Sequence, residues 1–294
     1  MLLWHISLQS LEPTSTLGKR TVMAKLSVTL QPSAIAAFFA LLTLVLFPHL
    51  GNAAQTLDPL ASTNWLDLQE EYLGEGPVEF NSSITLLLPP EIENSHEVPL
   101  TVVIPRTLGD VQEVVILAEN NPIQQVLRLH LHRLVHSLSL TMRLETSTPV
   151  RAAVLLADGK WLVGSQLAHV LSPGGCSAPG GNSGGEVAQV GEIAFKQFEN
   201  GGIYKNDRLK FRITHPMDTG LVTKANGESV PAYYIDRISI HDGSGLLLEF
   251  DTQAAMSADP VVTIDVPELQ QNIRVMASDS KGLEFDSGEL PTAQ

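Results

Sequence analysis

Apolar and polar residues alternate with a period of two over most of the chain. Ile84, Leu86 and Leu88 stand out from shorter or polar neighbours and stop at Pro89-Pro90. Leu100, Val102 and Ile104 repeat the pattern and stop at Pro105. Val114 to Leu117 is a short continuous apolar run closed by Glu119-Asn120-Asn121-Pro122. Leu127, Leu129 and Leu131 interleave with Arg128, His130 and His132, followed by the series Leu138 to Leu144 and Val150 to Leu156. Asp158-Gly159 is a hairpin turn leading into Trp161 and Val163. Short period-two runs punctuated by turn residues predict an antiparallel β-sandwich.

The alternation fails twice. Thr63 to Leu73 has a helical period, with Trp65, Leu68 and Tyr72 on one face, Thr63 or Ser62 as cap and Gly74 as terminator. Between Ser172 and Gly191 no period survives. Residues 173–185 hold six glycines and two prolines around Cys176, a composition read as flexible linker. Beyond it alternation resumes at Leu209, Phe211 and Ile213, at Ile238 and Ile240, and through Asp242-Gly243-Ser244-Gly245 into Leu246 to Phe250. Further strands are expected at Val262 to Val266 and Ile273 to Met276. The expected fold class is therefore all-β: two immunoglobulin-like β-sandwich domains, residues 55–172 and 191–286, joined by a Gly-rich linker, 173–190, with a short N-terminal helix and a polar tail, 287–294.

The first 54 residues read as a secretory signal peptide. Lys19, Arg20 and Lys25 precede the apolar run Ala34 to Phe47, and small residues Gly51 to Ala54 follow. The run is short for a bilayer span, so no membrane attachment is expected after cleavage, and the mature protein is expected in the periplasm. Removal of this leader leaves 15 basic and 31 acidic side chains of the chain's 18 and 32, a net charge of −16. That balance repels nucleic acid and anionic lipid and suits basic protein partners.

Cys176 is the only cysteine, so no internal disulfide exists to claim it. Gly174, Gly175 and Ser177 offer it no apolar contact. The expectation is an exposed thiol on a mobile arm, with Gly174 and Gly175 giving flexibility and access. Such a thiol also permits a disulfide-linked homodimer through Cys176. Other chemistry is weaker. Gly181-Asn182-Ser183-Gly184-Gly185 matches a serine-protease nucleophile motif, which makes a serine hydrolase using Ser183 an alternative, but no histidine context accompanies it. His130, His132 and His136 sit at even positions of one run and read as a solvated sheet face rather than a metal site. His215 precedes Pro216 and reads as packing or interdomain contact rather than catalysis. No phosphate-binding glycine loop and no haem-attachment motif is present, and no cofactor and no metal are expected.

Gly174-Gly175-Cys176 after a sandwich resembles the substrate-binding arm of SoxY, the sulfur-oxidation carrier subunit. Ala118 to Pro122, Ser147 to Ala152 and Ala157 to Lys160 are similar to SoxY runs. His215-Pro216-Met217-Asp218-Thr219-Gly220, Asn226 to Pro231 and Met256-Ser257-Ala258-Asp259-Pro260 resemble SoxZ. The resemblance is to fused SoxYZ-like carriers that accompany quinoprotein dehydrogenases. It implies a non-enzymatic carrier holding thiosulfate-derived, sulfane or persulfide groups covalently on Cys176, with periplasmic sulfur-oxidising, quinoprotein or cytochrome redox enzymes as partners. The family's arm ends its chain, whereas Cys176 continues into Ser177-Ala178-Pro179. The competing expectation is a non-catalytic interaction module for such a dehydrogenase or cytochrome, with the thiol unused.

Overall fold

The first half of the chain opens with helix α1 (Trp65–Leu73) and eight strands: β1 (Val78–Phe80), β2 (Thr85–Leu87), β3 (Val98–Val103), β4 (Val111–Ala118), β5 (Gln125–Leu131), β6 (Ser137–Met142), β7 (Thr148–Leu156) and β8 (Trp161–Ala168). The second half adds β9 (Ile193–Phe198), β10 (Asp207–Ile213), β11 (Ile235–Asp242), β12 (Gly245–Thr252), β13 (Val261–Val266), β14 (Arg274–Asp279) and β15 (Glu284–Asp286). This computed structural model describes residues 57–178 and 189–288. The expected signal peptide, the Ser183 motif and most of the tail lie outside the described residues.

Each half is an immunoglobulin-like sandwich, as the alternation predicts, but the two do not keep separate sheets. One nine-stranded sheet runs β1-β8-β7-β4-β5-β12-β11-β14-β15, and a six-stranded sheet runs β2-β3-β6-β13-β10-β9. The halves therefore join edge to edge in both layers. β5 pairs antiparallel with β12, Leu129 opposite Phe250, and β6 pairs antiparallel with β13, Leu140 opposite Val262. Side chains from both sheets and both halves form one buried cluster, from Ile84 to Ala277.

The apolar run at β4 shows why alternation is lost there. Val114 and Ile116 face the main core, while Val115 and Leu117 point to the outer face, where Trp65 and Leu68 of α1 cover them with Trp161 and Val163. A strand buried on both faces needs no polar phase. Helix α1 begins one or two residues later than the expected caps, Thr63 or Ser62, would place it. Asn64 holds the cap position without a side-chain bond to the first turn; its amide donates to Asn120 instead, and the Ser62 hydroxyl donates to Glu119. Gly74 ends the helix with φ of 69°, a conformation that favours glycine.

Candidate functional site

Cys176 lies where the two halves meet, and it is buried, with 1% exposure. The expectation of an exposed thiol on a flexible arm is overturned, and the reason is the backbone. Gly174 donates its N–H to Glu145 O (2.8 Å) and Gly175 donates to Leu144 O (3.1 Å). Ala178 N–H then closes a turn on Gly174 O (2.8 Å). The Glu145 carboxylate accepts the N–H groups of Cys176 and Ser177 (3.1 Å each) and the Ser177 hydroxyl (2.5 Å). From the second half, Thr219 Oγ1 donates to the Cys176 carbonyl at 2.7 Å.

The glycines thus serve close approach rather than mobility. A Cβ on Gly175 would stand 2.1 Å from Ser95 O and 2.5 Å from Leu144 O, and Gly174 sits at φ of 108°. Both positions exclude a side chain, one by space and one by conformation. Glycine density alone does not separate a limp segment from one pressed against a neighbouring backbone.

Arg143 and the His215–Thr219 loop build the walls of this seat. Arg143 N–H binds Ala255 O (2.7 Å) across the seam. Its guanidinium reaches Gly175 O and His96 Nδ1 at 3.4 Å each, Met256 O and Pro216 O at 3.3 Å each, and Met217 O at 3.4 Å. The loop is held from behind by His215, which is fully buried. Its Nδ1 accepts the Met217 N–H (3.1 Å), its ring packs tilted against Tyr233 with centroids 4.4 Å apart, and Asp259 accepts its backbone N–H. Burial lowers the His215 pKa against the pull of Asp279, 3.7 Å from Nε2. A neutral ring with Nδ1 as acceptor fits that position. The expected packing role of His215 is what the structure shows, with its aromatic neighbours all in the second half.

The electrostatics of the seat disfavour negative charge on the sulfur. Burial, and after it the Glu145 carboxylate, push the Cys176 thiol up to about 12, against the pull of Arg143. In the seated state at neutral pH the sulfur is therefore a protonated thiol, a poor nucleophile. Beside the turn opens a cleft of about 530 Å³ lined by Asn121, Pro122, Glu145, Ser177 and Leu221, which draws on both halves.

The remaining sequence candidates fall elsewhere. His130 sits between Glu113 and Asp251 and His132 against Glu249, on an outward face of the large sheet. His136 is not on that face. It is buried between β5 and β6 and meets Tyr204 edge-on at 5.5 Å. Among the described residues no group of three metal-ligating side chains forms a cluster. Arg143, Glu145 and Ser95 carry no sequence signal toward Cys176. Arg143 and Glu145 are out of phase with the apolar series ending at Leu144 and read as outward residues. Only Thr219 lies in a stretch with a recognisable motif.

No curated protein matches the chain. Among solved structures, the sulfur carrier protein SoxY from Chlorobium limicola f thiosulfatophilum aligns with a TM-score of 0.34 and 22% identity, over 37% of this chain and 97% of its own. The family model for the sulfur oxidation protein SoxY matches residues 69–176, ending on Cys176, and that for the sulphur oxidation protein SoxZ matches residues 203–289. The chain is a fused SoxY–SoxZ protein, one domain of each family in that order, with its single cysteine on the seam between them.

Proposed function

We propose that this protein is a periplasmic carrier that holds a sulfur group covalently on Cys176 and presents it to redox enzymes. The observation that carries the reading is the position of the thiol. It closes the SoxY match and is seated by Glu145 from one domain and Thr219 from the other. Seating is a local affair. Leu171, Ser172, Pro173 and Ser177 around it are exposed, and among the described residues the turn is hydrogen-bonded to Leu144, Glu145, Arg143 and Thr219. A carrier needs this turn to leave its seat for loading and unloading and to return between them.

Loading from thiosulfate joins the Cys176 sulfur to the sulfane sulfur of the anion, and one proton and two electrons depart. The electrons need an acceptor, the role of a cytochrome-class or quinoprotein partner. An oxidised donor such as tetrathionate loads without one: the thiolate forms a new S–S bond, the donor's S–S bond breaks, and thiosulfate leaves with the electron pair.

The test is intact-mass spectrometry of protein purified without reductant and incubated with tetrathionate. A reducible adduct is expected on the wild type and not on Cys176→Ser. A wild type that gains no mass would overturn the carrier reading. One observation favours the second reading, an interaction module with an idle cysteine: the thiol is buried and protonated. In that case Cys176→Ser supports sulfur-dependent electron transfer as well as the wild type. The carrier reading expects complete loss.

A further inference from the structure

Arg143 differs from the other arginines of the structure in what its charge faces. Arg151 lies against Asp58 and Glu119, Arg208 against Asp265, and Arg128 against Glu113, each with a carboxylate at ion-pair range. Arg133, Arg212, Arg237 and Arg274 also have carboxylate partners. Among the described residues Arg143 and Arg106 have none, and Arg106 is exposed and stacked on Tyr204. Arg143 is partly desolvated, and its contacts are four backbone carbonyls and one imidazole nitrogen, at 3.3 to 3.4 Å, with no carboxylate among them. The carboxylate of Asp218 acts on it only from beyond ion-pair distance.

A guanidinium taken partly out of water without a counter-charge is costly, and it attracts an anion into the same space. One of its carbonyl contacts is the peptide immediately before Cys176. Resting on the carrier reading, we propose that Arg143 is the counter-ion for a negatively charged sulfur group on Cys176, so that the seat retains anionic cargo in preference to neutral cargo. Glu145 opposes negative charge at the sulfur itself, so the preference concerns charge carried beyond the sulfur on the cargo. A sulfonate-bearing or persulfide anion supplies the missing partner, with the guanidinium fork suited to bind its oxygens or sulfur. Arg143 acts here as a specificity residue, not as a group that takes part in bond-making.

The test compares two adducts on the same cysteine. Tetrathionate gives protein–S–S–SO3⁻ with thiosulfate leaving. Methyl methanethiosulfonate gives a neutral methyl disulfide with methanesulfinate leaving. Removal of each by dithiothreitol is timed by mass in the folded protein and divided into its rate in the guanidinium-unfolded protein, which cancels intrinsic reactivity.

The wild type is expected to protect the anionic adduct about tenfold more than the neutral one. Arg143→Gln abolishes the difference and Arg143→Lys keeps part of it. A structural role for Arg143 lowers both protections by the same factor, and that result overturns the inference. So does equal protection of the two adducts in the wild type, a readout that needs no variant to fold. Failure of tetrathionate to load Cys176 removes the carrier reading and this inference together. Loading without charge preference removes this one alone.

Discussion

Two atoms' worth of space decide whether the Cys176 sulfur is in or out. A Cβ at position 175 meets backbone oxygens of Ser95 and Leu144, which have no rotamer to yield. Gly175→Ala therefore expels the turn, and alkylation of Cys176 by iodoacetamide at pH 7 rises about tenfold or more. Glu145→Gln keeps an acceptor but removes the like charge, for a rise of roughly three- to tenfold. The seated thiol also sets a pH dependence. It keeps its proton up to about 12, while a released thiol gives it up near the ordinary 9.0. Seating is then at full strength below pH 9 and is lost as pH climbs from there toward 12. Alkylation of the folded protein should keep rising beyond pH 9, where the unfolded protein levels off. A plateau near pH 9 in both would mean the sulfur is not held. At this scale the sequence exposes Cys176 and its two glycines but not their state. The partners Ser95, Arg143 and Glu145 are 31 to 81 residues away from the cysteine in sequence, and no local period links them to it.

The element whose placement depends most on single side chains is α1. Arg151, with 0% exposure, donates to both oxygens of Asp58 (2.7 and 2.8 Å), to Glu119 (2.5 Å) and to Ser165 (2.7 Å), and its guanidinium lies 5.0 Å from the Trp65 ring. Burial works to raise the Asp58 carboxyl, but the Arg151 guanidinium and the Leu60 and Ser62 N–H groups carry it below its usual range. One buried fork thus fastens the segment before α1 to β4 and β7. Arg151→Met leaves Glu119 buried without its cation, and a loss of about 3–5 kcal/mol is expected from the urea midpoint. Arg151→Lys recovers little, because one ammonium cannot span both carboxylates. Helix α1 itself was legible from Trp65, Leu68 and Gly74. Strands β9 and β15 were not. β9 is an edge strand with half-buried Ile193, Phe195 and Gln197 and no clear polar phase, and β15 is three residues long.

At the scale of the whole molecule, alternation marks where strands are but not which edges meet. A glycine-rich stretch between two alternating regions implies two cores, whereas pairing of β5 with β12 and β6 with β13 makes one. Split there, each half would present two rows of unpaired backbone flanked by Leu129, Leu140, Phe250 and Val262. The join therefore ties seating of Cys176 to assembly, since Thr219 and the Arg143 carbonyl partners exist in place only when both sheets are continuous. Cooperativity tests this. Trp65 and Trp161, the tryptophans of the described chain, both lie in the first half, so their fluorescence reports that half alone, while far-ultraviolet circular dichroism reports the strands of both. The two signals should trace one coincident urea transition. A fluorescence midpoint displaced from the dichroism midpoint would show that the halves melt independently and that the seam contributes little. Coincidence would also make any seam substitution, Phe250→Ala for instance at about 3–5 kcal/mol, lower both signals together rather than release the second half alone.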